Sequence, residues 1–163
     1  MLKPTLQEAL NKQLNAELAS SYLYLSMAAW FEEQNYRGMA QWMRVQSHEE
    51  WTHAMKFFSY IIDRGGRVVL AQVNAPKADW GGVLEAFQDA YNHECQVTKW
   101  IHELAKLAVA ESDFASQSFL QWFINEQVEE EATAEQIVEK LKRVGDSNVA
   151  LLFLDSELGK RAG

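Results

Sequence analysis

The chain has almost no cysteine and no long apolar run, and each absence excludes a class of protein. Cys95 is the only cysteine among the 163 residues, so an intrachain disulfide is excluded. No stretch approaches the roughly 18 consecutive apolar residues of a membrane span. The opening residues, Met1 to Pro4, also lack the apolar segment of a secretory signal. We therefore expect a cytosolic protein without a membrane partner.

Basic residues are also scarce. The chain carries 15 Lys and Arg against 23 Asp and Glu, a formal net charge of −8. A surface of this sign repels the phosphates of nucleic acids, and no basic stripe offsets it. Nucleic acid is therefore not an expected partner. Negative charge favours cations, although solubility alone accounts for most of the surface carboxylates.

Only two prolines occur, and helical periodicity fills the intervals between the few helix-breaking positions. The predicted boundaries are a capping box of Thr5 and Glu8, a turn at Asn35 and Gly38, a helix end near Arg64, a turn at 111–113, a helix end at Gly145 and a fifth helix from Leu151. Residues 65–82 contain a β-prone run, 68–70, and are longer than a helix hairpin needs. We predict an all-α four-helix bundle, one domain over 1–163, with a long crossover between the second and third helices.

Polar residues interrupt the apolar stripe of each long helix. The stripe of the third helix is expected to be Leu84, Phe87, Tyr91, Glu94, Thr98, Ile101, Ala105 and Ala108. The interruptions are Glu17 on the first helix, Glu50 and His53 on the second, Glu94 on the third, and Gln127 and Glu130 on the fourth. Glu17 and His53 each lie 18 residues from Asn35, while Glu94 and Glu130 each lie 18 from Ser112. At about 1.5 Å per residue, all of them reach one level of the bundle.

A metal centre explains this polar level better than the alternatives do. A single glutamate on a stripe is compatible with a misassigned face, but four together are not. A buried ion-pair network needs Lys or Arg on the same stripes, and none occurs at this level. Four uncompensated carboxylates repel one another and take up protons, whereas their charge balances two divalent ions. Carboxylates with one imidazole favour iron or manganese over structural zinc, and Glu50, central in the set, is the expected bridge.

The chain resembles the non-haem ferritins of bacteria and archaea over essentially its whole length. The most specific segments are Asn15-Ala16-Glu17, His48 to His53, His93-Glu94, Phe119 to Phe123 and Glu126 to Glu131. The resemblance implies a ferritin-like fold and a ferroxidase that oxidises Fe(II) with O2 or H2O2 and stores ferric mineral. It also implies self-assembly into a hollow shell, normally of 24 subunits.

The resemblance implies a role for each polar residue. Glu17, Glu50 and His53 would hold one iron, and Glu50, Glu94 and Glu130 a second, with Gln127 beside it. Glu49, Glu126 and Glu129, with Glu130, match a third iron site. Tyr24 matches a tyrosine that orients a ligand or supplies an electron, and Trp122 matches a nearby tryptophan.

Two departures from related patterns matter. The general di-iron pattern has a second Glu-x-x-His, where this chain has Gln127 and Glu130, so we expect a weaker second site. Bacterioferritins place a haem-ligating methionine where this chain has Trp51, so no haem is expected. Two alternatives remain at this point: a di-iron oxidase or peroxidase that detoxifies oxidants without storage, and a helical interaction module without metal chemistry.

Overall fold

The computed structural model describes all residues from 1 to 163 and contains five helices and no strand. The helices are α1 (Pro4–Glu33), α2 (Arg37–Asp63), α3 (Val83–Ala110), α4 (Phe114–Val144) and α5 (Asn148–Leu158). The predicted all-α bundle with a short fifth helix is confirmed. No helix combines the length and the apolar character that crossing a bilayer requires.

Two predicted helix starts differ from the observed ones. The capping box of Thr5 and Glu8 is wrong, because α1 already begins at Pro4 and no side chain caps it. Proline suits the first helical position, since the N–H that it lacks would have no partner there. The fifth helix begins at Asn148, three residues earlier than predicted, because the Ser147 hydroxyl accepts a hydrogen bond from a first-turn amide at 3.3 Å.

The first part of the crossover is held by two asparagines one turn apart on α1. The Asn11 side chain donates to the carbonyl of Arg67 at 2.9 Å and accepts from the amide of Val69 at 2.7 Å. Asn15 repeats the pattern with the Val69 carbonyl at 2.9 Å and the Ala71 amide at 2.7 Å. Because an asparagine amide offers both a donor and an acceptor, the pair substitutes for a neighbouring strand. The β-prone run therefore stays extended without forming a sheet.

The crossover runs along the whole of α1. It contacts Asn11 near the start of that helix, and the Ser26 hydroxyl near its end donates to the Lys77 carbonyl at 2.8 Å. The third helix therefore begins beside the end of α1 and runs parallel to α2. The predicted long crossover is confirmed.

The fifth helix docks against the start of α2 at a close backbone contact. A Cβ atom on Gly38 would lie 1.8 Å from the Asp155 carbonyl oxygen, so no other residue fits there. The Asp155 carboxylate also accepts from the Met39 amide at 2.8 Å. The opposite face of α5 stays exposed and apolar: Val149, Leu152 and Phe153.

The core consists of two apolar clusters, one towards each end of the bundle. The first has 18 buried residues, including Phe31, Met43 and Phe87, and the second has 12, including Leu10, Phe57 and Leu120. The polar level lies between them.

On α3 the predicted stripe is partly wrong. Ala90, Val97 and Leu104 are buried, whereas the predicted Tyr91, Thr98 and Ala105 are only half-buried and Leu84 is exposed. Positions three and four residues after a core residue both lie near the core face of a helix. Packing of α3 against α1 and α4 buries the position three residues on, not the one four residues on.

Candidate metal centre

The polar residues of the four stripes are buried together at mid-bundle. The side chains that the structure places in this layer are Glu17, Glu50, His53, Glu94, Gln127 and Glu130, each less than 9% exposed. Burying an ionised carboxylate without a partner costs several kcal/mol, so groups of this kind occur where something compensates them. Each ionised carboxylate of this layer therefore needs a partner that compensates its burial.

Two groups of side chains are close enough to share an ion. Glu17, Glu50 and His53 each place a ligand atom within 4.8 Å of the others, and so do His53, Glu126 and Glu130. His53 Nδ1 lies 3.5 Å from Glu50 Oε2 and 4.0 Å from Glu17 Oε2. His53 is therefore shared by two pairs of carboxylates, an inner pair of Glu17 and Glu50 and an outer pair of Glu126 and Glu130.

Two glutamine amides hold three of the carboxylates in place. Gln13 donates to Glu17 at 2.8 Å, and Gln46 donates to both Glu50 and Glu130 at 2.9 Å. Because one amide nitrogen serves Glu50 and Glu130 together, α2 and α4 are tied across the layer.

The fourth carboxylate, Glu94, is held from two sides. The Tyr24 hydroxyl donates to one of its oxygens, and the Gln127 amide donates to the other at 3.1 Å. Glu94 belongs to neither of the two close groups. It faces the layer from α3, and Tyr24 fixes the orientation of its carboxylate.

One oxygen of the layer has no partner at all. Glu17 Oε2 is buried and makes no hydrogen bond, although it points towards Glu50 and His53. A buried acceptor left unsatisfied costs roughly 1–3 kcal/mol. A cation seated between these three side chains would satisfy it, so the donor set fits a metal ion.

Burial and, after it, the charge of the layer raise the pKa of most of its carboxyls. Burial, then repulsion by Glu50, raises the pKa of Glu17 and of Glu94 well above the usual range. The same causes raise the pKa of Glu130 to about 7. Burial, then the Glu94 charge, also raises the pKa of Tyr24, which therefore keeps its proton. Without a metal, these carboxyls therefore keep their protons to a higher pH than exposed carboxyls do.

Glu50 and His53 act against this trend as a pair. Burial works to raise the pKa of Glu50, but hydrogen bonding and attraction by His53 outweigh it, and the pKa is lowered. Burial likewise works to lower the pKa of His53, and the carboxylates Glu50, Glu130 and Glu126 outweigh it. Without a metal, His53 therefore keeps its second proton to a higher pH than an ordinary histidine does.

The outer acidic residues differ in how close they come to the layer. Glu126 is half-buried beside His53, whereas Glu129 is exposed on the next turn and joins neither close group. Glu49 is turned towards the C-terminal tail, where Arg161 donates to its carboxylate at 2.6 Å. Burial raises the pKa of Glu126.

The remaining aromatic and imidazole groups line the layer or lie outside it. Trp122 packs edge-on to His53 with ring centroids 5.4 Å apart and carries the Lys56 ammonium over its own face. His93 hydrogen-bonds Ser20 at 2.7 Å beside the layer. His48 and His102, by contrast, are exposed.

Comparison with known proteins places the chain in a family. A sequence profile described as "Ferritin-like domain" matches residues 7–144. The bacterial non-heme ferritin of Bacteroides fragilis (strain 638R) is 46% identical over 99% of this chain and 100% of the relative. The chain belongs to the ferritin family. The bacterial non-heme ferritin of Staphylococcus aureus (strain MRSA252) is 41% identical over 99% of this chain and 97% of the relative.

A solved ferritin structure agrees with this family assignment along the whole chain. The open pore ferritin of the hyperthermophilic archaeon Archaeoglobus fulgidus superposes with a TM-score of 0.98 at 52% identity, covering 99% of each chain. The predicted resemblance to non-haem ferritins is confirmed, and with it the bundle geometry that places the polar layer.

Three residues in or beside the layer were not predicted from the sequence: Gln13, Gln46 and Arg161. The two glutamines had a usable signal in the sequence, because each precedes a core glutamate by four residues. Both are almost fully buried in the structure. Residues four apart on a helix are neighbours on one face. Arg161 had no such signal, since its position depends on where the tail folds back.

Proposed function

We propose that the chain is the subunit of an iron-storage ferritin. It oxidises Fe(II) to Fe(III) at a di-iron ferroxidase centre within the subunit, using O2 or H2O2, and stores ferric mineral inside a hollow homo-oligomeric shell. The observation that carries the proposal is the buried layer of four carboxylates and one imidazole, with an unpartnered oxygen on Glu17. The names of the related non-heme ferritins support the same function.

The proposed ligands form two iron positions that share Glu50. Glu17, Glu50 and His53, whose ligand atoms lie within 4.8 Å of one another, hold the first iron. Glu50 also belongs to the second iron, together with Glu94 and Glu130. Its shared hydrogen bond with Glu130 through Gln46 supports this bridging role. Gln127, which donates to Glu94, orients that ligand beside the second iron.

A third iron position lies on the outer side of His53. Glu126 and Glu130 approach His53 within 4.8 Å, which supports a site there. Glu49 and Glu129 complete it when their side chains turn inwards. Iron oxidised in the layer has a carboxylate route towards solvent through these residues.

The electron balance of the reaction is simple. Two Fe(II) ions give two electrons to one O2, which takes up two protons and leaves as H2O2. With H2O2 as the oxidant, two electrons and two protons give two waters. The four carboxylates stabilise the rising positive charge of the iron substrate, and those with raised pKa values release protons when iron binds.

Tyr24 is the residue we assign to the chemistry besides the ligands. Its hydroxyl donates to Glu94 and is buried within the layer. It keeps Glu94 in position, and the resemblance to non-haem ferritins suggests that it can also supply an electron to the oxidant.

Assembly is supported by the exposed apolar face of α5. Val149 and Phe153 are about four-fifths exposed, at 80% and 78%, and Leu152 is 59% exposed. A contiguous apolar face on a helix end marks an interaction surface. We propose that it is buried between subunits of a shell, for which the family resemblance suggests 24 copies.

The test is anaerobic loading with Fe(II), followed by air, on protein whose particle size has been measured by light scattering. Hundreds of irons retained per large particle support storage. Oxidation that stops at two or three irons per subunit on a small particle supports a di-iron oxidase instead. Glu50→Gln should abolish rapid oxidation, and Glu8→Gln, which removes the charge of an exposed glutamate on α1, should not.

A further inference from the structure

The C-terminal tail brings a cation to the outer edge of the carboxylate layer. Beyond α5 the chain folds back along α2, and Arg161 stacks its guanidinium on Trp42, 4.4 Å from the ring centroid. The Arg161 side chain is only 21% exposed, so it is fixed against the helix rather than extended into solvent. A flat guanidinium stacked on an aromatic ring has its N–H donors free at the edge.

Those donors reach two residues of α2 that belong to different parts of the layer. Arg161 Nη2 lies 2.6 Å from Glu49 Oε2 and 2.9 Å from Gln46 Oε1. With its oxygen occupied by Arg161, the Gln46 amide has its N–H group directed at Glu50 and Glu130, each at 2.9 Å. The tail therefore contacts the inner carboxylates through one intervening amide.

The same contact keeps Glu49 away from the outer site. His53, Glu126 and Glu130 converge within 4.8 Å, but Glu49 is absent from that group and is paired with the guanidinium instead. A metal ion bound to the Glu49 carboxylate would stand close to the guanidinium that is paired with its Oε2, and two cations at that distance repel.

We propose that Arg161 competes with metal for Glu49, so that occupation of the outer site and docking of the C-terminal tail exclude each other. This inference rests on the outer iron position of the proposed function. Arg161 acts as a positioning residue: it contacts neither iron nor oxidant, and it weakens the outer site until the metal displaces it. Metal arriving at the outer site then releases the tail and with it the hydrogen bond to Gln46.

The first experiment is a titration of the assembled, chelator-treated protein with Zn(II), which binds oxygen and nitrogen ligands without being oxidised. The chains compared are the native one, Arg161→Gln and Lys160→Gln. The last variant removes the same charge from an exposed neighbouring side chain and is the matched control. The weakest Zn(II) equivalent, which we assign to the outer site, should bind to Arg161→Gln about fivefold more tightly than to the native chain. A fivefold change corresponds to about 1 kcal/mol, the contribution of one surface ion pair. Lys160→Gln should match the native chain.

The second readout follows the tail itself. Hydrogen exchange of the C-terminal peptide, measured by mass spectrometry, should accelerate in the native chain when the last equivalent of Zn(II) binds, and not with the earlier ones. In Arg161→Gln the peptide should exchange fast before any metal is added.

The outcomes separate this inference from the proposed function. Equal affinity for the weakest equivalent in all three chains, or a tail whose exchange ignores that equivalent, overturns the role of Arg161 while leaving the inner centre intact. If both the native chain and Arg161→Gln bind only two equivalents, the role is likewise overturned. The proposed function itself fails if Glu50→Gln binds as much metal, as tightly, as the native chain.

Discussion

Replacing Glu130 with glutamine should stabilise the metal-free protein at neutral and alkaline pH. Burial and repulsion by Glu50 raise the pKa of Glu130 from its ordinary 4.5 to about 7. Between these values the folded chain keeps a proton that the unfolded chain has lost. The stability that this proton contributes is therefore complete below pH 4.5 and is lost as the pH rises to about 7.

The size of this loss follows from the two pKa values. One pKa unit corresponds to about 1.4 kcal/mol, so the free energy of unfolding of the native chain should fall by about 3 kcal/mol through Glu130 alone. For a chain of this length 1 kcal/mol shifts the melting temperature by about 2–4 °C. Glutamine does not titrate, and its carbonyl can still accept the hydrogen bond from Gln46.

The assay is differential scanning calorimetry of chelator-treated protein at pH 5 and pH 8. Between these two conditions Glu130 accounts for about 2.5 kcal/mol of the loss, so the melting temperature of the native chain should fall by about 5–10 °C more than that of Glu130→Gln. Glu8→Gln, on the exposed face of α1, should behave like the native chain. If Glu130→Gln and the native chain lose the same amount, the electrostatic account of the layer is refuted.

Three further substitutions test separate parts of the structure. Gly38→Ala should undock α5 and lower the melting temperature, because its Cβ would strike a carbonyl of that helix, whereas Gly82→Ala, with nothing within 4 Å, should not; calorimetry decides. Tyr24→Phe should remove one of the two donors to Glu94 and slow Fe(II) oxidation in stopped flow at unchanged Zn(II) affinity; an unchanged rate would refute the assignment. Asn11→Ala should cost about 2 kcal/mol through two lost hydrogen bonds and speed proteolysis of the crossover; unchanged protease resistance would contradict its role there.

The bundle could be predicted because the helical periodicity and the length of each segment between helix breakers can be read from the local sequence. Few residues break the helices, and a stripe with 3.6-residue spacing predicts the buried face. The level of Glu17 and Glu94 could likewise be estimated from their distance to a turn. The α3 stripe shows where this reasoning ends: periodicity permits either Ala90 or Tyr91, and only packing against neighbouring helices selects Ala90.

The parts that could not be predicted depend on contacts between distant segments. The extended crossover is fixed by Asn11, more than fifty residues earlier in the chain. The pairing of Arg161 with Glu49 spans 112 residues and requires the tail to fold back over α2. A search for Lys and Arg on the helix stripes could not find a cation that comes from beyond the last helix.

The position of bound iron decides whether the buried layer is a di-iron centre. Crystals soaked anaerobically with Fe(II) should give two anomalous diffraction peaks at the iron edge inside the bundle. One peak should lie among Glu17, Glu50 and His53 and another among Glu50, Glu94 and Glu130. Iron found only at exposed acidic residues, with the buried layer empty, would contradict the assignment of a buried di-iron centre.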